Sequence, residues 1–260
     1  MLALASFIGS AVVPMPSRGD AVGSVLGTDS SGRDVLALLL HGGRAVLGTA
    51  ILAVFVATIA GAFVGALVGL SSLRRNRSLE RWLEAVDTFP AIVVVALFRC
   101  IEEHPSNIPV IAAVAIVKWA EVARIVRAES LRLGQEDFVL AARALGASKL
   151  SIARRHVLPH VTAAVSVSAA LGIASVVLLD TAVAFLGMGP GTDAASWGEL
   201  LGEGLRSAAG RPLGGPLVWA PLGLLTATVA AAYLFADALR DAQDPNAVRK
   251  QSARAAREPS

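Results

Sequence analysis

The uncharged stretch at residues 45–70 constrains this chain more than any other part of its sequence. As a helix rising about 1.5 Å per residue it would measure about 39 Å, more than the roughly 30 Å hydrocarbon core of a bilayer. Two more uncharged stretches, residues 161–179 and 216–236, approach the length of about 20 residues that a spanning helix needs. The sequence therefore predicts an integral membrane protein.

The composition favours a bundle of helices in lipid. Hydrophobic residues make up 55% of the chain, charged residues make up 17%, and the mean hydropathy is +0.64, which is too apolar for an ordinary soluble domain. Long apolar runs are typical of spanning helices, whereas membrane strands show short segments of alternating polarity. The predicted fold is an all-α, polytopic transmembrane bundle that forms one membrane domain over residues 1–260.

The residue content also argues against a disulfide, a metal site and a nucleic-acid interface. Cys100 is the single cysteine, which excludes an intrachain disulfide, and no Cys/His cluster has metal-ligand spacing. The net charge of +3 comes from basic residues between the apolar runs rather than along one face, which argues against nucleic-acid binding. No metal or cofactor is expected.

About six crossings are predicted, of which the first is short. Residues 2–13 are apolar but too few to span, and they lack the basic start and cleavage site of a signal peptide, so a truncated or tilted helix is favoured. Residues 83–98 and 108–126 each contain charged side chains, which neighbouring helices of a bundle can shelter. These three segments complete the set of six.

The basic residues set the expected orientation, because short loops rich in Lys and Arg stay on the cytoplasmic side. They concentrate in residues 74–81, 124–155 and 240–257, whereas residues 17–34, 99–107 and 187–215 carry few of them. The alternation is consistent with six crossings and with both termini in the cytoplasm. Residues 244–260 are expected to form a polar C-terminal tail beside an anionic membrane surface.

The cytoplasmic segment at residues 134–159 is too long for a simple connector. A stretch rich in Ala and Leu is interrupted by Gly146, after which helical spacing resumes. Two short helices meeting at a glycine would form a compact docking surface for another protein. The apolar residues on that surface would be Ala141, Ala142 and Leu145. An amphipathic helix lying among lipid headgroups explains the segment equally well when it is taken alone.

This segment resembles the cytoplasmic coupling motif of binding-protein-dependent ABC import permeases. That motif reads Glu-Ala-Ala, three residues, Gly, nine residues, Ile, one residue, Leu-Pro. The residues at matching places are Ala141, Ala142, Gly146, Leu158 and Pro159. His156 takes the Ile place, as in the RHVLP form of the dipeptide and oligopeptide branch, which also includes nickel systems.

Other marks of that branch recur in the same order, so the resemblance covers nearly the whole chain. They are GTDSSGRDVLALLLHGGR at residues 27–44, ARIVRAESL at 123–131, AFLGMG at 184–189, SWGELL at 196–201 and DALRDAQDP at 237–245. One short motif would be weak evidence, but several in order with matching spacing identify the chain as similar to this branch.

The resemblance implies a division of labour among subunits. Two such permeases, commonly different chains, line a pathway, two ATPase subunits dock on the cytoplasmic side, and an extracytoplasmic binding protein delivers a peptide or a related small solute. The sequence carries no G-x-x-x-x-G-K-[ST] phosphate loop, so this chain is expected not to be an enzyme. Closure of the ATPase subunits would move the coupling segment as a lever and rock the helices between outward-open and inward-open states.

Two positions differ from the family pattern. Leu140 stands where the coupling motif has its Glu, so a charged contact to the ATPase is expected either to be missing or to be supplied by Glu136 or Asp137. Asp180 stands where the family often has Glu, after an uncharged run near the outer interface, and is interpreted as a gate or an anchor for a loop.

Small residues recur on one face of the first long span, where they permit close helix contact. They are Ala57, Gly61, Gly65 and Gly69. Ordinary helix packing is the favoured role for this face, and a lining of the pathway or of the permease dimer is the alternative.

Four further residues receive structural interpretations. Lys118 and Glu121 lie three residues apart and are expected to pair near the membrane boundary rather than to relay protons. Trp197 and Trp219 are expected in the aromatic belt at the membrane surface.

Two other classes of function remain open alternatives. A secondary transporter or channel would need no ATPase, but it should show paired intramembrane charges or broken helices in corresponding halves, and the three uncharged stretches show neither. An intramembrane enzyme would need a nucleophile, an acid or metal ligands at membrane depth, and the sequence offers no such constellation.

Overall fold

The computed structural model describes residues 25–70, 81, 84–86, 88–101, 106–189, 196–207 and 215–243, and every regular element in these ranges is a helix. The α-helices are α1 (Val35–Gly69), α2 (Ala91–Ile101), α3 (Ile108–Leu133), α4 (Asp137–Ala144), α5 (Lys149–Ile152), α6 (Leu158–Val183), α7 (Trp197–Ser207) and α8 (Pro216–Ala242). Two π-helical segments, Ala153–Val157 and Ala184–Met188, flank α6. The predicted all-α fold is confirmed.

Three helices have the length and apolar composition to cross a membrane. They are α1 with 35 residues, the continuous helix Lys149–Met188 with 40 residues, and α8 with 27 residues. Each contains one of the uncharged stretches, so these three predicted spans are confirmed. Helix α3 is as long as α6 but carries Lys118, Glu121 and Arg124, and its crossing stays a prediction. The predicted short first helix and the C-terminal tail lie outside the described residues.

Helix α2 covers part of the span predicted at residues 83–98, and residues 84–86 and 88 before it are helical as well. It begins at Ala91, immediately after Pro90, and ends at Ile101. Arg99 lies inside the last turn, where one guanidinium nitrogen donates to the backbone oxygen of Ser106. The helix continues past the charge because the loop that follows satisfies part of it.

Helices α1 and α3 form the most extensive helix contact among the described elements, and the small-residue face of α1 makes it possible. A Cβ atom at Gly61 would lie 2.5 Å from the backbone oxygen of Trp119, and one at Gly65 would lie 2.5 Å from that of Ala123. A Cβ at Gly69 would collide with Ser130. Ala57 is buried on the same face. The two backbones therefore approach as closely as small residues allow.

Trp197 corrects one expectation. Its side chain is 1% exposed, and its indole Nε1 donates to the backbone oxygen of Leu39 over 2.9 Å. The residue thus fastens the start of α7 to α1 in the core, whereas an aromatic-belt residue would lie at the surface. Trp219 is 59% exposed.

The loop that precedes α1 is also fastened to α7. The buried carboxylate of Asp29 accepts hydrogen bonds from the backbone nitrogens of Ser31 and Arg33 and from Arg33 Nε, at 2.7–2.9 Å. The next residue, Ser30, donates its backbone N–H to Glu203 of α7 over 2.9 Å. Two motifs that lie far apart in sequence, at residues 27–44 and 196–201, therefore belong to one packed end of the bundle.

Candidate functional site

The segment between α3 and α6 is bent sharply at Gly146, as predicted. Gly146 has φ +83°, a left-handed conformation that favours glycine. Its N–H donates to the carbonyl of Arg143, and the N–H of Ala147 donates to that of Ala142, both over 3.0 Å, which closes a Schellman motif at the end of α4. Ser148 then caps α5 through a 3.2 Å bond from the Ser151 N–H.

The second arm of the bend begins as a short helix and continues into the next span. Helix α5 has four residues and passes through the π-helical segment Ala153–Val157 directly into α6. The N–H of Leu158 donates to the carbonyl of Ala153, an i→i−5 bond, and Pro159 follows in the first turn of α6. Because proline has no N–H to donate, the widened turn just before it accommodates the break in the ladder. The arm is therefore rigidly continuous with a spanning helix.

The inner face of the segment is anchored in a hydrophobic cluster. Val139 of α4 and Ile152 of α5 are buried against Leu70 at the end of α1 and Leu133 at the end of α3. Ala142, Ala147 and Leu158 pack partly buried against the same cluster. Of the predicted coupling residues, Ala142 and Leu158 thus face the bundle.

The outer face exposes apolar side chains on both sides of the bend. Leu145 is 89% exposed, Leu140 and Leu150 are about half exposed, and Ala141 and Gly146 are exposed as well. Exposed cations border them, namely Arg143, Lys149, Arg154 and Arg155. An exposed apolar patch with a polar rim is typical of a protein interaction site. We refer to Leu140, Ala141, Leu145, Gly146 and Leu150 as the outer patch.

A ring contact joins the two arms. The Phe138 ring lies 5.7 Å from that of His156 and 5.8 Å from that of His160, with the second pair stacked at 19°. His160 Nδ1 also donates to the backbone oxygen of His156 over 2.6 Å. Sequence reasoning identified His156 but missed Phe138 and His160, because the residues of a cross-arm contact are not spaced by any helical period.

The charged residues at the start of the segment at residues 134–159 form ion pairs with one another. Arg132, at the end of α3, bonds Glu129 at 2.5 Å and Glu136 at 3.4 Å. The hydrogen bond and the charge of Glu129 raise the pKa of the Arg132 guanidinium further above its ordinary value. Glu136, one of two residues expected to replace the missing motif Glu, therefore faces Arg132 at the base of the segment. At the motif position itself, Leu140 extends the outer patch.

The remaining predicted residues occupy other places. The small-residue face of α1 lies on the α1–α3 contact. Pro159 is exposed at the start of α6. Lys118 and Glu121 pair at 2.9 Å, as expected. Asp180 is 5% exposed in α6. Within the described ranges, no group of three His, Cys, Asp or Glu side chains is placed to hold a metal ion.

Comparison with known proteins gives consistent matches over most of the chain. Residues 57–249 match the family described as binding-protein-dependent transport system inner membrane component. The oligopeptide transport system permease protein OppC of Salmonella typhimurium is 38% identical over 226 residues, which cover 86% of this chain and 73% of that protein. OppC of Haemophilus influenzae is 34% identical, covering 84% and 69%, and a putative peptide permease protein of Brucella suis is 33% identical, covering 85% and 72%.

Solved structures share the fold at low sequence identity. The MetNI methionine ABC transporter in inward-facing conformations superposes with a TM-score of 0.62 at 18% identity, over 80% of this chain and 96% of that one. An amino acid ABC transporter crystallised with histidines gives 0.55, also at 18% identity, over 79% and 92%.

Proposed function

Because the chain belongs to the family of binding-protein-dependent transport system inner membrane components, we propose that it imports peptides as one of two permease subunits of an ATP-driven transporter. Oligopeptide and peptide permeases at 33–38% identity over most of the chain support the substrate class. The chain is a multi-pass protein of the bacterial inner membrane, and ATP hydrolysis belongs to separate subunits.

The family places such a chain beside ATPase subunits, a second permease and a binding protein. The proposed assembly is a heterodimer of two different permeases, with both termini of this chain in the cytoplasm. The concentration of basic residues at 124–155, which include the segment that carries the outer patch, supports this orientation.

The proposed contact to the ATPase is the outer patch. The observation that supports this contact is the high exposure of Leu145 beside the bend at Gly146. The inner face of the same segment is packed into the bundle. An isolated apolar side chain in water contributes nothing to the stability of this chain, whereas burial of a leucine in a partner's cleft stabilises a complex by about 1.5–3 kcal/mol. His156, Ala142, Leu158 and Pro159 would position the patch rather than form its surface.

The proposed coupling follows from the continuity of the second arm with α6. A force that an ATPase subunit exerts on the outer patch would be transmitted to Lys149–Met188, a single helix of 40 residues that is long and apolar enough to cross the membrane. The inner-face cluster ties that motion to the ends of α1 and α3. Closure of the ATPase subunits would thus tilt three helices together, which is the rigid-body movement that alternating access needs.

Purification of the complete transporter in detergent tests the proposal. The chain is expected to retain ATPase subunits, and proteoliposomes that contain the complex with its binding protein are expected to accumulate labelled peptide only with ATP. Accumulation driven by an ion gradient without ATP would contradict the proposal and favour a secondary transporter. A folded chain that retains no ATPase subunit would contradict it as well.

Orientation is tested separately with a lone thiol. In a Cys100→Ser background, Ser148→Cys is expected to react with a membrane-impermeant maleimide in inside-out vesicles and not in intact cells. Reaction from outside intact cells would overturn the proposed topology.

A further inference from the structure

A cavity of about 600 Å³ lies between α3, α6 and α8. Alanine, valine and leucine side chains of α6 form much of its wall, but Glu121, Ser168, Arg240 and Gln243 also line it. An acid and a base are costly against lipid tails, so residues of this kind in spanning helices face protein or water. The cavity is therefore unsuited to a purely apolar occupant.

The cavity reaches from the middle of the bundle to the end of α8. At 1.5 Å per residue, Ser168 lies about 15 Å along α6 from Leu158, and Glu121 lies about 18 Å along α3 from Leu133. Arg240 and Gln243 lie at the last turn of α8, where Gln243 Nε2 donates to Ser166 Oγ over 3.1 Å. The polar groups thus lie along the half of the bundle that is predicted to face the cytoplasm.

Toward α1 the cavity continues as a narrow cleft. Glu121 and Ser168 line both spaces, and the cleft adds Lys118, Thr58 and Gly172. A Cβ atom at Gly172 would lie 3.4 Å from the side chain of Val54, so the passage is tight at that level. The space therefore narrows toward α1.

An ion pair stands where the cavity meets the cleft. Lys118 Nζ donates to Glu121 Oε2 over 2.9 Å, and the two side chains remain 30% and 38% exposed. The two charges of the pair neutralise each other, which leaves Arg240 as the other charged residue that lines the cavity. Because both side chains are accessible, each can exchange its partner for an ion of opposite sign on a ligand.

We propose that this cavity is the cytoplasmic half of the pathway wall that this chain contributes, and that it accepts zwitterionic solutes through Glu121 and Arg240. The inference rests on the proposed import function and adds the residues that contact the solute. Glu121 accepts hydrogen bonds from the ammonium end of a short peptide, while Arg240 donates to its carboxylate end.

An apolar replacement of the pair tests the inference. The double variant Lys118→Met with Glu121→Leu keeps similar volumes and leaves no charge unpaired, so the fold is expected to persist. Uptake of a labelled tripeptide by the complete transporter is expected to fall at least tenfold, with ATPase subunits retained as in the wild type. Uptake within twofold of the wild type would overturn the inference and leave the proposed function standing. Failure of the wild-type transporter to import any peptide would instead overturn the proposed function.

Thiol accessibility gives a second test that does not depend on folding of the double variant. In a Cys100→Ser background, Ser168→Cys is expected to react with a hydrophilic maleimide in inside-out vesicles at least tenfold faster than Ala60→Cys, an exposed α1 position outside the cavity. Tripeptide is expected to slow the reaction. A Ser168→Cys rate equal to that of the Ala60→Cys control would overturn the inference, as would protection by anionic phospholipid but not by peptide.

Discussion

Phe138 and His156 face each other across the bend at Gly146, with their ring centroids 5.7 Å apart. The contact links α4, which carries part of the outer patch, to the π-helical segment that continues into α6. The bend itself supplies only local backbone bonds, so this ring contact is one of the interactions that make the two arms move together. His160 adds a second ring on the same phenyl group.

Removal of the ring contact is expected to weaken the coupling between the ATPase subunits and transport, while the ATPase subunits stay bound. Aromatic pairs contribute about 0.5–1.5 kcal/mol beyond their burial, so Phe138→Leu is expected to lower ATP-dependent uptake by roughly threefold to tenfold. Retention of ATPase subunits should stay the same, because Phe138 is not in the outer patch. Phe55→Leu, at a 60% exposed position on α1, serves as the matched control. Equal uptake by the two variants would contradict the role of the ring contact.

Gly146 acts through its backbone, since no atom lies within 4 Å of where its Cβ would be. Gly146→Val is expected to cost about 1–2 kcal/mol, the penalty of a left-handed conformation for a residue with a side chain. Gly146→Asn should cost less, because asparagine visits that conformation readily. Uptake and thermal stability are both measured. If the Gly146→Val variant were as active and as stable as the Gly146→Asn variant, the left-handed conformation at this position would not limit which residue the bend accepts.

Leu145 is exposed enough that its replacement should leave the fold intact. Leu145→Asp is expected to weaken retention of ATPase subunits by about tenfold or more, from the loss of about 1.5–3 kcal/mol of burial in the complex. Val25→Asp changes an equally exposed apolar residue on the predicted outer side and provides the control. Detergent pull-down at several salt concentrations reads out the difference. Parallel losses in both variants would point to a general effect of the added charge.

The α1–α3 contact predicts which glycines tolerate a side chain. Gly65→Ala places a Cβ 2.5 Å from the Ala123 carbonyl, so it is expected to destabilise the chain by about 1–3 kcal/mol. Gly48→Ala, on the same helix with nothing within 4 Å, should be neutral or slightly stabilising. The midpoint of thermal unfolding in detergent separates the two. A midpoint for Gly65→Ala at or above that of Gly48→Ala would contradict the close packing.

The sequence indicates those features that depend on short-range pattern. The uncharged run at residues 45–70 predicted most of α1, and the Ala- and Leu-rich stretch broken by Gly146 predicted α4 and its end. In each case the information lies within one or two turns of the chain: apolar periodicity, a helix terminator and the φ that glycine permits.

Features that depend on tertiary contact could not be read in the same way. Tryptophan is a residue type that is common at the membrane surface, but the indole of Trp197 donates to the backbone oxygen of Leu39, 158 positions earlier in the chain, and lies in the core. The merger of α5 with α6 follows from the π-helical turn before Pro159, whereas proline usually marks a boundary. The pairing of Phe138 with His156 and His160 depends on how the bend folds back, and no spacing rule encodes it.

Photocrosslinking at Leu145 in the assembled transporter tests the central claim most directly. A crosslinking amino acid at Leu145, in native membranes with all subunits present, is expected to form a covalent adduct with an ATPase subunit, and the same group at Phe55 on the exposed face of α1 is expected to form none. An abundant complex in which the Leu145 group gives no ATPase adduct, or reacts only with lipid, would contradict the assignment of this bend as the coupling surface.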